Sequence, residues 1–70
     1  MMQAIIRVNG QDEPLSAATL AAFIAERDLT PEGRGIAVAH NGALVRRADW
    51  ATTMLIAGDT VEIVRAMQGG

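Results

Sequence analysis

Cysteine, lysine and tyrosine are absent from this 70-residue chain, and it holds a single Phe, a single Trp and a single His. Without cysteine there is no disulfide and no thiolate for zinc, so two common staples of small scaffolds are excluded. A carrier that holds sulfur as a persulfide is excluded on the same ground. Without lysine there is no side-chain amine for another copy of the chain to acylate. No apolar run approaches the ~18 residues of a membrane span. The start, Met1-Met2-Gln3-Ala4, lacks the basic-then-apolar pattern of a signal peptide. The expectation is a cytoplasmic protein with no membrane contact. A formal net charge of −2 leaves no basic excess to displace counterions, which argues against nonspecific nucleic-acid binding.

What is present is apolar: half of the residues are hydrophobic, so the chain folds on packing alone. A domain this short buries only about 60% of the surface its unfolded chain exposes. Its stability is then on the order of 3–10 kcal/mol, which leaves little to hold a deep pocket or a strained site. Size favours a binding or carrier module, a monomer when free, over an independent enzyme.

Residues 3–8 read as a β-branched strand with Ala4, Ile6 and Val8 on one face. Asn9-Gly10 is a strong hairpin signal, because both positions of a type I′ turn need positive φ. Residues 11–15 return as a second strand, which Pro14 confines to a sheet edge. Ser16 is the candidate N-cap of a helix over Ala17 to Asp28, where Leu20, Phe23 and Ile24 form an apolar stripe that the Arg27 stem extends. Residues 30–33 are a loop. Ile36–His40, the second Asn-Gly pair at 41–42, and Ala43–Val45 form another hairpin. Residues 46–57 are irregular, with a helical turn around Ala48 to Ala51. Gly58-Asp59 turns into a final strand, Thr60 to Ala66.

Two hairpins separated by one helix, without βαβ repetition, indicate an α+β fold. The helix stripe packs on one face of a mixed sheet of four to five strands, and the final strand lies beside the first in the interior. That is the β-grasp, ubiquitin-like arrangement. Residues 1–66 form the domain, and 67–70 remain as a flexible tail.

The functional candidate is this tail, Met67-Gln68-Gly69-Gly70. Two terminal glycines arise by chance in roughly 0.5% of sequences, so the pair alone does not decide between a role and a frayed end. The physics favours a role. Glycine backbone approaches another surface closely, and four extended residues reach about 13 Å, enough to place a carboxylate in a partner's cleft. That carboxylate, with a reference pKa of about 3.5, is ionised at neutral pH. As an oxyanion it attacks the α-phosphate of ATP to give an acyl-adenylate, from which a sulfur donor displaces AMP.

The segments "VAHNGALVRRADW" and "GDTVEIVRAMQGG" carry a family resemblance. Over essentially its full length the chain resembles the ThiS family, sulfur carriers of thiamine thiazole biosynthesis. Asn41-Gly42, Val45, Arg47, Trp50, Gly58, Asp59, Gly69 and Gly70 match the family's pattern. Arg46 stands where the family often has proline, which puts the local backbone in doubt but not the tail. The resemblance implies adenylation of Gly70 by a ThiF-type enzyme, sulfur from a cysteine desulfurase route, and delivery to a ThiG-type thiazole synthase. It also implies that ATP and magnesium belong to the adenylating partner, with no cofactor bound here. Three alternatives stay open: the sulfur-carrying small subunit of molybdopterin synthase, a ubiquitin-like modifier, and a β-grasp interaction module whose glycines mean nothing.

In the last strand Val61 and Ile63 are expected to face the core, with Glu62, Val64 and Ala66 outward. This outward face, with Arg65 beside it, is the candidate docking surface. Arg65 reads first as a solvated strand residue and second as an anchor for the tail, and Arg46-Arg47 as a solvated pair. Trp50 is expected to anchor the irregular segment. His40 has no cysteine or second histidine to complete a metal site and no nucleophile to serve as a base. Asp12, Glu13, Glu26, Asp28 and Asp59 read as turn or surface carboxylates.

Overall fold

The structure, a computed structural model, describes residues 4–27 and 35–65. Strand β1 (Ile5–Val8) and β2 (Gln11–Pro14) pair antiparallel, as do β3 (Ile36–His40) and β4 (Ala43–Val45). Both hairpins turn on Asn-Gly. Asn9 and Asn41 sit at φ 50° and 51°, and Gly10 and Gly42 at 85° and 86°. These are the left-handed values of a type I′ turn, whose twist matches that of the strands it joins. The last strand, β5 (Thr60–Arg65), runs parallel to β1 and antiparallel to β3, giving one five-stranded sheet in the order β2-β1-β5-β3-β4.

Pro14 lies on the edge strand β2, as its missing N–H requires. The hairpin alternation places Pro14 opposite Ile5 at a pair where no backbone N–H of β2 points toward β1.

Helix α1 (Leu20–Arg27) packs on one face of the sheet through Leu20, Phe23 and Ile24, all buried. They meet Ile6 and Val8 of β1, Val38 of β3 and Val61 of β5 in a single core that also takes in Trp50 and Leu55. The helix starts later than expected, and its cap is Thr19 rather than Ser16. The Thr19 hydroxyl accepts the Ala22 N–H at 3.1 Å, and the Ser16 hydroxyl instead donates to Glu26 at 2.7 Å. The cause is non-local. Leu20 N–H donates to the Thr53 carbonyl at 2.8 Å and Leu55 N–H to the Ala18 carbonyl at 3.0 Å, so residues 18–20 are held extended against the 53–55 segment.

The expected helical turn near Ala48–Ala51 is present as a longer 3-10 helix over Arg47–Thr52. Trp50 plugs this segment into the core and donates its indole N–H to the Val45 carbonyl at 3.0 Å. It is the anchor that the sequence suggests, with its polar atom satisfied as burial demands.

Candidate functional site

Strand β5 delivers the chain to residues 66–70. Ala66, Met67, Gln68, Gly69 and Gly70 lie outside the described residues, so the site is built here from what leads up to them. β5 is the third of five strands. Its alternation splits it cleanly. Val61 is fully buried and Ile63 packs partly into the core, whereas Glu62 and Val64 point to the opposite, open face. Arg65 shares the parity of Val61 and Ile63 but is exposed where the strand runs past the core.

Register assembles the open face. Ala37 lies opposite Val64, and Ala39 lies opposite both Glu62 and Leu44. Val64 is 62% exposed and Leu44 74%. These two with the alanines make an apolar strip across β5, β3 and β4, broken only by the Glu62 carboxylate. A clustered strip of this kind departs from scattered exposed apolar residues, which need no explanation. Leu44, Ala37 and Ala39 belong to it through long-range pairing that local sequence does not reveal.

Three side chains fix where β5 begins and how it runs. Asp59, just before the strand, is 6% exposed. Its Oδ2 takes the Ile56 N–H at 3.0 Å and lies 2.8 Å from His40 Nε2, and its Oδ1 takes the Asn41 amide at 3.1 Å. Burial alone pushes this carboxyl up. The His40, Ile56 and Asn41 hydrogen bonds, with the His40 charge, nonetheless hold it below the usual carboxylate range. An ionised carboxylate only accepts, so His40 Nε2 carries the proton in this pair. His40 is therefore committed to structure.

Asn41 closes the arrangement: its Oδ1 accepts the Thr60 N–H at 2.8 Å, and its backbone N–H donates to the Thr60 carbonyl at 2.8 Å. At the other turn, Asn9 Oδ1 accepts the Ile63 N–H at 2.8 Å and Asn9 Nδ2 donates to the Ile63 carbonyl at 3.3 Å. The sequence marked Asp59 as a turn residue and the two asparagines as turn formers. It carried no signal that their side chains all converge on β5.

Other polar groups belong to the scaffold. Arg27 forms a two-pronged bond to Glu13 at 2.7 and 2.9 Å and lies over the Phe23 ring at 4.9 Å. That pair holds Glu13 below its ordinary range. Arg46 lies 3.8 Å from Asp49 on the exposed 3-10 helix. A groove of about 320 Å³, lined by Ile5, Ile6, Arg7, Asp12, Gly58 and Thr60, opens beside the start of β5. It sits about 16 Å along the strand from Arg65. Among the described residues no group of three or more His, Asp or Glu side chains converges as metal ligands do, and no helix is long and apolar enough to cross a membrane.

The profile of the ThiS family matches residues 4–70. Among solved structures, the chain is similar to the crystal structure of a thiamine biosynthesis protein (ThiS) from Geobacter metallireducens. The identity is 23%, the TM-score 0.78, and the match covers 94% of this chain and 99% of that one. It is also similar to the solution structure of a thiamine biosynthesis protein from the same organism, at 24% identity and TM-score 0.74, over 99% of this chain and 88% of that one. At these identities the likeness establishes the fold. No curated protein matches the chain.

Proposed function

The chain belongs to the ThiS family, and from that membership we propose that it is a sulfur carrier of thiamine biosynthesis that works through the Gly70 carboxylate. One observation carries the reading: the family match runs through residue 70, so that Gly69 and Gly70 fall inside it. The fold fits a carrier, because Asp59, the one buried charged or polar residue among those described, is spent on holding the start of β5.

In the proposed cycle a ThiF-type enzyme, which supplies the ATP and magnesium site, receives Met67, Gln68, Gly69 and Gly70 in its cleft. A Gly70 carboxylate oxygen attacks the ATP α-phosphate, and pyrophosphate leaves. A sulfide equivalent from a cysteine desulfurase route then adds to the acyl carbon and expels AMP. The product is a Gly70 thiocarboxylate, which a ThiG-type thiazole synthase consumes. The chain acts as co-substrate rather than enzyme. Glycine at 69 and 70 lets the backbone pass a narrow cleft without Cβ clashes. The open face of Val64, Glu62, Leu44 and the alanines is the docking surface, with Arg65 exposed beside it and Ala66 next in sequence. An ATP-dependent activation of this kind fits a cytoplasmic protein.

The test is intact-mass analysis after incubation with ATP, a ThiF-type enzyme and a sulfur source. The expected result is exchange of one terminal oxygen for sulfur, and none in a variant lacking Gly69 and Gly70. An unchanged mass with an enzyme shown to be competent on its own carrier refutes the proposal. High-mass adducts on target proteins would instead identify a modifier.

A further inference from the structure

We propose that the Asn9 side chain is a positioning residue that fixes the direction in which β5 leaves the sheet, and through it the presentation of the reactive end. The second half of this statement rests on the carrier reading above; the first half stands on geometry alone. β1 ends at Val8, whose partner on β5 is Val61. The Asn9 N–H makes one more ladder bond, to the Val61 carbonyl at 2.9 Å, and the chain then turns away at the left-handed Asn9. Past Val61, β5 would have a partner only on its β3 side.

The Asn9 amide replaces the missing strand residue. A primary amide carries one acceptor and a donor in the arrangement of a peptide group, and here both are used on one residue, Ile63, at 2.8 and 3.3 Å. Ile63 is thus flanked on both sides, by Asn9 and by its β3 partner Val38. Among the described residues, Val64 and Arg65 pair with β3 alone, through Ala37 and Ile36. Asn9 is therefore the last hold on the β1 side, two residues before the described part of β5 ends. Asn41 makes the comparable contact at the far end of the strand, on Thr60.

Removing the hold lets residues 63–65 sample directions off the sheet axis. A carrier whose end points correctly only part of the time binds its activating enzyme more weakly by the fraction that is competent. Once it is bound, chemistry proceeds as before. KM for the carrier rises and kcat does not fall.

Asn9→Gly is the informative variant, because glycine keeps the positive φ of the turn while deleting the amide. Asn41→Gly is its control, losing a comparable contact at the start of the strand. In the free protein, Asn9→Gly is expected to accelerate exchange of the Ile63 amide hydrogen on the order of ten-fold and to lower the backbone order parameters of Val64 and Arg65. Asn41→Gly leaves those order parameters unchanged. With a ThiF-type enzyme, KM for the Asn9→Gly carrier rises on the order of five-fold at constant kcat, and Asn41→Gly retains the KM of the parent. Unchanged order parameters at 64 and 65 overturn the positioning role whatever the enzyme does. Lowered order parameters with an unchanged KM overturn its link to activation. If the parent chain itself is not adenylated, the carrier reading fails, and the free-protein measurements still decide whether Asn9 directs the strand.

Discussion

Replacing Asp59 with asparagine isolates the contribution of the charge at the foot of β5. The carboxylate takes three donors on two oxygens: His40 and Ile56 on Oδ2, Asn41 on Oδ1. Asparagine has the same shape but a single oxygen, so either orientation of its amide sets an NH2 against a donor. Facing Asn41 it meets another NH2, and facing Ile56 it meets a backbone N–H. One hydrogen bond to a charged acceptor is lost, worth about 1.5–3 kcal/mol when buried. Since Asn41 is exposed, the cost falls to about 1–2 kcal/mol. With a urea slope of about 1 kcal/mol per molar for a small domain, the midpoint drops by roughly 1–2 M. Trp50, the single indole and buried in the core, reports the transition by its fluorescence.

The same substitution has a pH signature. Asp59 is held below its ordinary range in the fold, so its contribution is complete above the unfolded value of about 3.9. That contribution is lost as pH falls through the lower folded value. The parent chain loses stability in acid, and Asp59→Asn flattens that slope. Glu13, also held low, by Arg27, leaves a residual slope that Glu13→Gln removes. A midpoint equal to the parent at neutral pH, with the same acid slope, refutes the reasoning.

Phe23→Ala empties the centre of the helix–sheet contact and costs about 3–5 kcal/mol, comparable to the whole stability of about 3–10 kcal/mol. Far-UV circular dichroism should show a largely unfolded population at room temperature. Val64→Asp, at a position 62% exposed, should shift the Trp50-monitored transition by no more than about 0.5 kcal/mol while raising KM with the adenylating enzyme. Unchanged kinetics would remove the open face from the docking role.

The parts of the fold legible in the sequence are those written in local chemistry. Both Asn-Gly pairs demand left-handed turns, the Leu20/Phe23/Ile24 spacing demands a helix with one buried stripe, and Val61/Ile63 alternation assigns the faces of β5. Each was found where expected. What stayed hidden depends on register between distant segments. Ser16 and Thr19 are equally good caps by residue type. The choice falls to Thr19 because the 53–55 segment pairs with residues 18–20, a contact that no local window contains. His40 and Asp59 are 19 residues apart, and Asn9 and Ile63 are 54 apart. Their pairing appears only once β5 lies between β1 and β3. The strip formed by Leu44, Ala39, Ala37 and Val64 was hidden for the same reason, since it comes from three strands.

The central position of β5 suits the proposed carrier, because the strand that leads to residues 66–70 is held between two neighbours and not at a sheet edge. An edge strand is held by one ladder and peels when its end is drawn away. β5 is held by β3 along its whole length, by β1 as far as Val61, and by the Asn9 amide at Ile63. Its buried residue Val61 sits in the middle of the core, so displacing the strand would expose Ile6, Val38 and the helix stripe together. The free-energy cost of holding the last strand is therefore met by the same contacts that fold the domain.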